Sequence, residues 1–150
     1  MRILFLDIDG VLVNRRSFFI RSGNLPTCDP GCLEVLNEIC EATNAHIVIS
    51  SSWRLESSLR ELQQILGEWG VKAPVIGVTP VGLSTRGAEI EAWIAESESH
   101  GQTISSFVIL DDCSDMEGEL LGRLVQTDSG LGLCKKATAK AIAILRNEIP

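Results

Sequence analysis

The chain has 150 residues, of which 45% are hydrophobic and 22% are charged, a composition typical of one compact folded domain. Its formal net charge of −7 argues against general electrostatic attraction to nucleic acid or to an anionic membrane, although a local basic patch is compatible with it. The five cysteines show no CxxC spacing, so neither a disulfide framework nor a zinc site is expected. The N-terminal apolar run is interrupted by Asp7 and is too short for a signal peptide or a membrane span. We therefore expect a cytoplasmic protein with no membrane partner.

Short apolar runs alternate along the chain with longer segments of helical period. The runs predict strands at 2–6, 45–49, 74–78, 106–110 and 123–126. The segments between them predict helices at 30–43, 54–67, 86–98 and 136–147. Runs that are apolar throughout suit strands covered on both faces. The alternation therefore predicts an α/β fold, a single doubly wound, Rossmann-like parallel sheet flanked by helices.

Carboxylates follow two of the predicted strands. Asp7 and Asp9 come after the first strand, and Gly10 then allows a sharp turn and a close approach to a ligand. Asp111 and Asp112 come after the fourth strand. Such groups are costly to bury without a partner, and hard oxygen ligands suit Mg²⁺. Either pair alone also fits an ordinary turn, but both are predicted at the edge of the sheet where ligands bind, so they are expected to converge on one cation.

Hydroxyl groups follow the second predicted strand. Ser50 and Ser51 stand at a strand-to-helix junction, where hydroxyls and free backbone N–H groups bind anions such as phosphate. Helix capping by Ser52 is an alternative that is compatible with phosphate binding. Two roles stay open for each of the next two residues. Trp53 either belongs to the functional site or is an aromatic residue of the core, and Arg54 either contacts substrate or is a solvated charge.

A cation is expected beside the carboxylates. Arg86 opens the third predicted helix, where its charge would neutralise a nucleophilic carboxylate and an incoming phosphate. Lys72 is the competing candidate, but it belongs to a connection that leads into a strand. Arg86 is therefore preferred.

These segments, in this order, resemble the motifs of the haloacid dehalogenase-like (HAD) phosphohydrolase superfamily. The residues that match its four motifs are Asp7 and Asp9, Ser50, Arg86, and Asp111 with Asp112. Residues 47–54, 77–80, 86–94 and 109–112 resemble more narrowly the HAD domains associated with RNA-repair proteins. The resemblance spans nearly the whole chain.

The resemblance implies a mechanism. Asp7 would be the nucleophile that forms an aspartyl-phosphate, and Asp9 would protonate the leaving oxygen and then activate water. Ser50 would bind phosphoryl oxygens, while Arg86 would steady Asp7 and the phosphate.

The resemblance also implies the ligands of a Mg²⁺ cofactor. These would be the side chain of Asp7, the backbone carbonyl of Asp9 and the side chain of Asp111. Asp112 would be either a direct ligand or a group that acts through one.

HAD enzymes often carry a cap domain, whereas here residues 11–28 are the only irregular segment before the first helix. We expect a single domain over residues 1–150, with 11–28 as a flap in place of the cap. Such an open site favours a large substrate, or a small one enclosed by a second subunit. Five flap residues could hold phosphates and stack a base, with a solvated flap as the alternative: Arg15, Arg16, Phe18, Phe19 and Arg21.

The sequence thus predicts a Mg²⁺-dependent phosphomonoesterase, with nucleic-acid or nucleotide phosphates as candidate substrates. The alternatives are a phosphatase of a small metabolite or phosphoprotein, and a non-catalytic phosphate-binding or receiver-like domain. A receiver domain expects its phosphoacceptor aspartate after an internal strand and a lysine after the last one. The present sequence instead places the DxDG segment after its first strand.

Overall fold

The computed structural model describes residues 1–148, so residues 149 and 150 of the predicted domain lie outside the described part. In chain order the strands are β1 (Arg2–Leu6), β2 (Arg21–Ser22), β3 (Leu25–Pro26), β4 (His46–Ile49), β5 (Val75–Val78), β6 (Ser106–Asp111) and β7 (Leu124–Gln126). Five of them form the main sheet, which is parallel and has the order β5-β4-β1-β6-β7, and the short antiparallel strands β2 and β3 form a hairpin. The five strands of the main sheet lie where the apolar runs predict them.

Strand β1 lies at the centre of the sheet, and the first acidic pair, Asp7 and Asp9, follows its carboxyl end. Its last residue, Leu6, pairs with Ile49 of β4 on one side and with Leu110 of β6 on the other. Because the three strands are parallel and in this register, the residues that follow them emerge side by side.

Helices cover both faces of the sheet. They are α1 (Pro30–Thr43), α2 (Leu59–Trp69), α3 (Arg86–Ser99) and α4 (Thr138–Leu145). Leu4 and Leu6 of β1 pack in one apolar cluster with residues of α1, α2 and α4, whereas Ile3 and Phe5 pack with α3 on the opposite face. All four side chains are fully buried, and burying such side chains contributes about 1.5–3 kcal/mol each. The predicted doubly wound α/β fold is confirmed.

The flap, residues 11–28, contains the β2–β3 hairpin and is held at its base by Asn14. The Asn14 side chain donates to Asp29 Oδ2 at 2.9 Å and to the carbonyl of Leu131 at 3.0 Å. Its own oxygen accepts from the backbone N–H groups of Arg16 and Ser17. The first turn of the flap is therefore fixed to the body. Across residues 1–148, no helix has the length and apolar character that a bilayer crossing requires.

The predicted helix at 54–67 is wrong at its start. Ser52–Leu55 forms a separate 3-10 helix, and α2 begins only at Leu59. Ser58 causes the break, because its hydroxyl accepts from the N–H of Glu61 while the Glu61 carboxylate accepts from the N–H of Ser58. The leucine spacing runs across this cap, but Leu55 is 65% exposed and does not belong to the buried stripe. The last helix is also shorter than predicted, since Lys135–Ala137 forms a 3-10 turn before α4.

The Ser58 cap gives a test of this local structure. Ser58→Ala should lower the free energy of unfolding by about 1 kcal/mol, because the first turn of α2 loses an acceptor for an N–H group. Urea unfolding measures the difference. Ser57→Ala is the matched control and should change stability by less than about 0.5 kcal/mol. A larger loss for Ser57→Ala than for Ser58→Ala would contradict this assignment of the cap.

Candidate active site

The backbone ladder of the sheet continues past the strand ends into the candidate site. The N–H of Asp7 donates to the carbonyl of Leu110 at 3.0 Å, and the N–H of Ser50 donates to the carbonyl of Leu6 at 2.8 Å. The N–H of Thr127, which follows β7, donates to the carbonyl of Asp111 at 3.0 Å. The sheet itself therefore fixes the spacing of the groups that emerge from it.

Three carboxylates meet at this edge. Asp7, Asp111 and Asp112 each offer an oxygen, and these oxygens lie within 4.8 Å of one another. Asp7 is 5% exposed and Asp111 is fully buried. Oδ1 of Asp7 accepts from the N–H of Ile8 at 2.9 Å, and Oδ1 of Asp111 accepts from the N–H of Cys113 at 2.8 Å. The backbone thus orients both buried carboxylates through one oxygen each.

Arg86 faces the other oxygens of the buried pair from the first turn of α3. Its Nη1 lies 2.7 Å from Asp111 Oδ2 and 3.2 Å from Asp7 Oδ2. Although burial opposes its charged form, the hydrogen bond that Arg86 donates to Asp111 and the charges of Asp7 and Asp111 raise the pKa of Arg86. Lys72 lies before β5, at the opposite end of that strand, and its N–H donates to the side chain of Asn37. The structure therefore brings Arg86, and not Lys72, to the carboxylates.

A single guanidinium compensates this concentration of acid only in part. Burial, together with the negative charge of Asp111, raises the pKa of Asp7 to about 8 despite the opposing charge of Arg86. Burial also raises the pKa of Asp111, with Arg86 opposing the shift. The available ligand atoms are all carboxylate oxygens, and their negative charge exceeds the positive charge of Arg86. Such a set suits a hard divalent cation such as Mg²⁺. The donor set therefore fits the cation that the sequence predicts.

Gly10 makes room for the third carboxylate. Its φ is +80°, and a Cβ atom at this position would lie 2.6 Å from Cγ of Asp112. Two residues at the end of β7 hold the neighbouring loops: the Thr127 hydroxyl donates to the Gly10 carbonyl at 2.7 Å, and the Gln126 amide donates to the Asp112 carbonyl at 3.2 Å. Sequence reasoning missed both residues, although the position of Thr127 just after a predicted strand was a usable signal.

Asp9 stands apart from the carboxylate cluster and is exposed. The indole N–H of Trp53 donates to its Oδ2 at 3.0 Å. The ring of Trp53 also packs edge-on against Trp69, with the centroids 5.6 Å apart. The two roles left open for Trp53 by the sequence therefore coexist, since the ring packs on the body while its N–H orients Asp9.

Ser50 offers an unused hydroxyl. Ser50 is 1% exposed, and its Oγ has no hydrogen-bond partner among residues 1–148. A buried hydroxyl without a partner costs free energy unless a ligand or water satisfies it. This atom is therefore available for an anion bound at the edge of the sheet.

Ser51 and Arg54 hold the loop instead of facing open space. Ser51 Oγ accepts from the N–H of Trp53 at 3.2 Å, so Ser51, and not Ser52, caps the 3-10 helix. The Arg54 side chain is 6% exposed and forms an ion pair with Glu89 at 2.7 Å. Arg54 also donates to the carbonyls of Ser51, Thr79 and Pro80. These contacts occupy all three guanidinium nitrogens, so in this structure Arg54 holds the loops after β4 and β5 and is not a solvated charge.

The structure does not bring the flap arginines Arg15 and Arg16 to the carboxylate cluster. A Cβ atom on Gly130 would lie 3.2 Å from Cζ of Arg15, so that guanidinium packs on the loop after β7. Arg16 lies beside Asp29 on another surface. Arg21 instead covers the ring of Phe18, with Cζ 4.7 Å from the ring centroid.

Comparison with known proteins gives a family and a fold. Residues 3–138 match the model of a family described as the HAD domain in Swiss Army Knife RNA repair proteins, which confirms the resemblance drawn from the motifs. The fold is similar to the crystal structure of D,D-heptose 1,7-bisphosphate phosphatase from B. bronchiseptica complexed with magnesium and phosphate, with a TM-score of 0.53. That likeness covers 98% of this chain and 99% of the other at 16% identity, so it shows a shared fold alone. No curated protein sequence matches the chain.

The raised pKa of Asp7 predicts how stability depends on pH without divalent metal. Between its ordinary value of 3.8 and about 8, folded Asp7 keeps a proton that the unfolded chain has lost. The free energy of unfolding should therefore fall as pH rises through this range, by at most about 1.4 kcal/mol per pH unit. Urea unfolding in EDTA at pH 5–8 measures the slope.

Two variants make this test specific. Asp7→Asn should reduce the slope to the part that Asp111 contributes, whereas Asp9→Asn, which changes an exposed carboxylate, should keep the full slope. Parallel pH profiles for the wild type and Asp7→Asn would contradict the assigned protonation of Asp7.

Proposed function

The chain belongs to the HAD domains of Swiss Army Knife RNA repair proteins, and from this we propose that it is a Mg²⁺-dependent phosphomonoester hydrolase with Asp7 as nucleophile. The observation that carries the proposal is the meeting of Asp7, Asp111 and Asp112 at one edge of the sheet, with Arg86 against the two buried carboxylates. Buried like charges of this kind are costly for folding alone and are typical of sites that bind a cation and a reacting anion.

Asp7 is oriented for attack on phosphorus. Its Oδ1 is held by the N–H of Ile8, and its Oδ2 faces Arg86. A carboxylate that approaches a phosphate dianion meets electrostatic repulsion, which the Arg86 charge offsets. Attack would form an aspartyl-phosphate and break the bond to the leaving oxygen, so that one difficult displacement becomes two easier steps.

The metal would be held by the side chains of Asp7, Asp111 and Asp112, with the backbone carbonyl of Asp9 as a further ligand. When bound, Mg²⁺ would neutralise charge on the nucleophile and on the phosphoryl oxygens. Asp112 reaches this position over Gly10, and Gln126 holds its backbone.

Asp9 would act as general acid and then as general base. Trp53 holds its Oδ2, which leaves Oδ1 for a proton that passes to the leaving oxygen. The same oxygen would then take a proton from the water that hydrolyses the aspartyl-phosphate. The exposure of Asp9 suits this role, because both the leaving group and the water must reach it.

Ser50 would bind a phosphoryl oxygen through its free hydroxyl. The N–H of Gly10 already donates to the carbonyl of Val13 at 2.8 Å, so Gly10 would serve by making space for Asp112 and not as a phosphate donor. Ser51 and Arg54 would fix the loop that presents Ser50 and Trp53.

The substrates that we propose are phosphates of nucleic acids or nucleotides. Two observations support this choice: the family is described from RNA repair proteins, and residues 11–28 carry only a short hairpin, which leaves the site open. A panel of phosphorylated oligonucleotides, nucleotides, sugar phosphates and phosphopeptides would test it. Preferred turnover of a sugar phosphate or a phosphopeptide would favour the alternative substrates.

Asp7→Asn should lower Mg²⁺-dependent hydrolysis of a generic aryl phosphate by roughly 10⁴- to 10⁶-fold, the range seen when enzymes lose a catalytic residue that acts as part of a unit. Asp128→Asn is the matched control, since Asp128 lies on the loop after β7 and its Oδ1 accepts from the N–H groups of Gly130 and Leu131. An asparagine retains that acceptor. Equal activity of Asp7→Asn and the wild type would overturn the proposal.

Gly10→Ala should weaken Mg²⁺ binding, because a Cβ atom would displace the Asp112 carboxylate and the φ of +80° strains any other residue. The Mg²⁺ concentration that gives half the maximal thermal stabilisation should rise about 10- to 100-fold. Gly122→Ala is the control, since a Cβ there meets nothing within 4 Å. An unchanged Mg²⁺ response in Gly10→Ala would contradict the role of Asp112.

A further inference from the structure

We propose that a groove beside Asp9, between the flap and the 3-10 helix Ser52–Leu55, binds the base of a nucleoside monophosphate whose phosphate lies at Asp7. This inference rests on the proposed function, and it assigns a place on the protein at which the leaving group is recognised. The groove has a volume of about 330 Å³, which is at the lower end of the usual range for small-molecule sites. Phe18 and Leu25 line it from the flap, and Trp53, Leu55 and Glu56 line it from the other side.

The groove opens at the catalytic acid. Asp9 belongs to its wall, and Trp53, which holds Oδ2 of Asp9, belongs to the same wall. Because Asp9 would protonate the leaving oxygen, a group seated in this groove belongs to the part of the substrate that departs. Contacts there would therefore select the leaving group and leave the phosphoryl site unchanged.

The lining selects a flat, apolar group. Phe18 is 44% exposed, Leu25 is 38% exposed and Leu55 is 65% exposed, so three large apolar side chains face solvent around one groove. Apolar surface concentrated in this way is typical of a binding site. Arg21 lies over one face of the Phe18 ring, with Cζ 4.7 Å from the ring centroid, and a cation placed in this way stabilises the position of the ring.

The charges of the groove distinguish a base from a second phosphate. Its charged lining residues within the described chain are Asp9 and Glu56, both acidic. A second phosphate, as in a sugar bisphosphate, would meet repulsion here. A base carries no charge at neutral pH, stacks on aromatic rings, and can present amino groups to the Glu56 carboxylate.

The test compares substrates within each protein. The wild type should hydrolyse nucleoside 5′- or 3′-monophosphates with a kcat/KM at least about 10-fold above that for glycerol phosphate, since stacking one base contributes roughly that factor or more. Leu55→Ala should reduce this ratio about 10-fold, because the base would no longer bury the apolar surface of the Leu55 side chain. Leu131→Ala is the matched control. Leu131 is 62% exposed, a fraction similar to the 65% of Leu55, and it does not line the groove.

A binding measurement separates failure of this inference from failure of the proposed function. Adenosine 5′- and 3′-monophosphates should shift the NMR signal of the Trp53 indole N–H, assigned with Trp53→Phe, and Leu55→Ala should weaken the response. If no phosphate ester is hydrolysed but this response is present, the groove assignment stands and the proposed function fails. If glycerol phosphate and nucleotides are hydrolysed equally, with equal ratios in Leu55→Ala, the groove assignment is overturned while the proposed function stands. Absence of both hydrolysis and the NMR response overturns both.

A short oligonucleotide with a terminal phosphate identifies the source of the base. Turnover above that of the mononucleotide, with the same sensitivity to Leu55→Ala, indicates a strand end as the substrate. Turnover below it indicates a free nucleotide. Either result supports base recognition, whereas oligonucleotide and mononucleotide turnover that are both insensitive to Leu55→Ala would overturn it.

Discussion

The guanidinium of Arg86 faces two carboxylates that the fold buries at the same edge of its sheet. Because Asp7 follows β1 and Asp111 ends the neighbouring parallel strand β6, the backbone register brings their carboxylates together, and the chain cannot separate them without losing its central strand pair. One positive charge does not balance this site, and the pKa of Asp7 rises to about 8 as burial and Asp111 act on it. The site therefore carries an excess of negative charge, which the divalent cation of the proposed function would compensate.

The surrounding residues serve to keep these charges in place. Thr127 and Gln126, at the end of β7, hold the loops that carry Gly10 and Asp112. On the other side, Arg54 joins the loops after β4 and β5 and pairs with Glu89 of α3, the helix that begins at Arg86. Removing one member of such a buried pair typically costs about 3–5 kcal/mol, because the other charge is left without compensation. The geometry of the candidate active site thus depends on the packing of the whole sheet.

Much of this site could be predicted from the sequence. Parallel strands with uniformly apolar runs are buried, so the polar residues next to them in sequence lie at the strand ends. Asp7, Ser50, Asp111 and Asp112 emerge at the edge where the pattern places them. The predicted start of α2 was wrong because the leucine period continues across the Ser58 cap, and periodicity alone does not indicate where a helix is capped. The partners of Arg54 and the route of the flap depend on contacts between residues distant in sequence, which no local pattern encodes.

In the proposed reaction Asp7 carries the phosphoryl group, and chemical trapping of the acyl phosphate would detect it there. The protein is mixed with Mg²⁺ and a rapidly hydrolysed phosphate ester, quenched, and treated with borohydride, which reduces an acyl phosphate to an alcohol. Peptide mass spectrometry should then find homoserine in place of aspartate at position 7, dependent on both substrate and Mg²⁺. Homoserine at Asp9 or Asp111 instead, or at no position while turnover continues, would contradict the account.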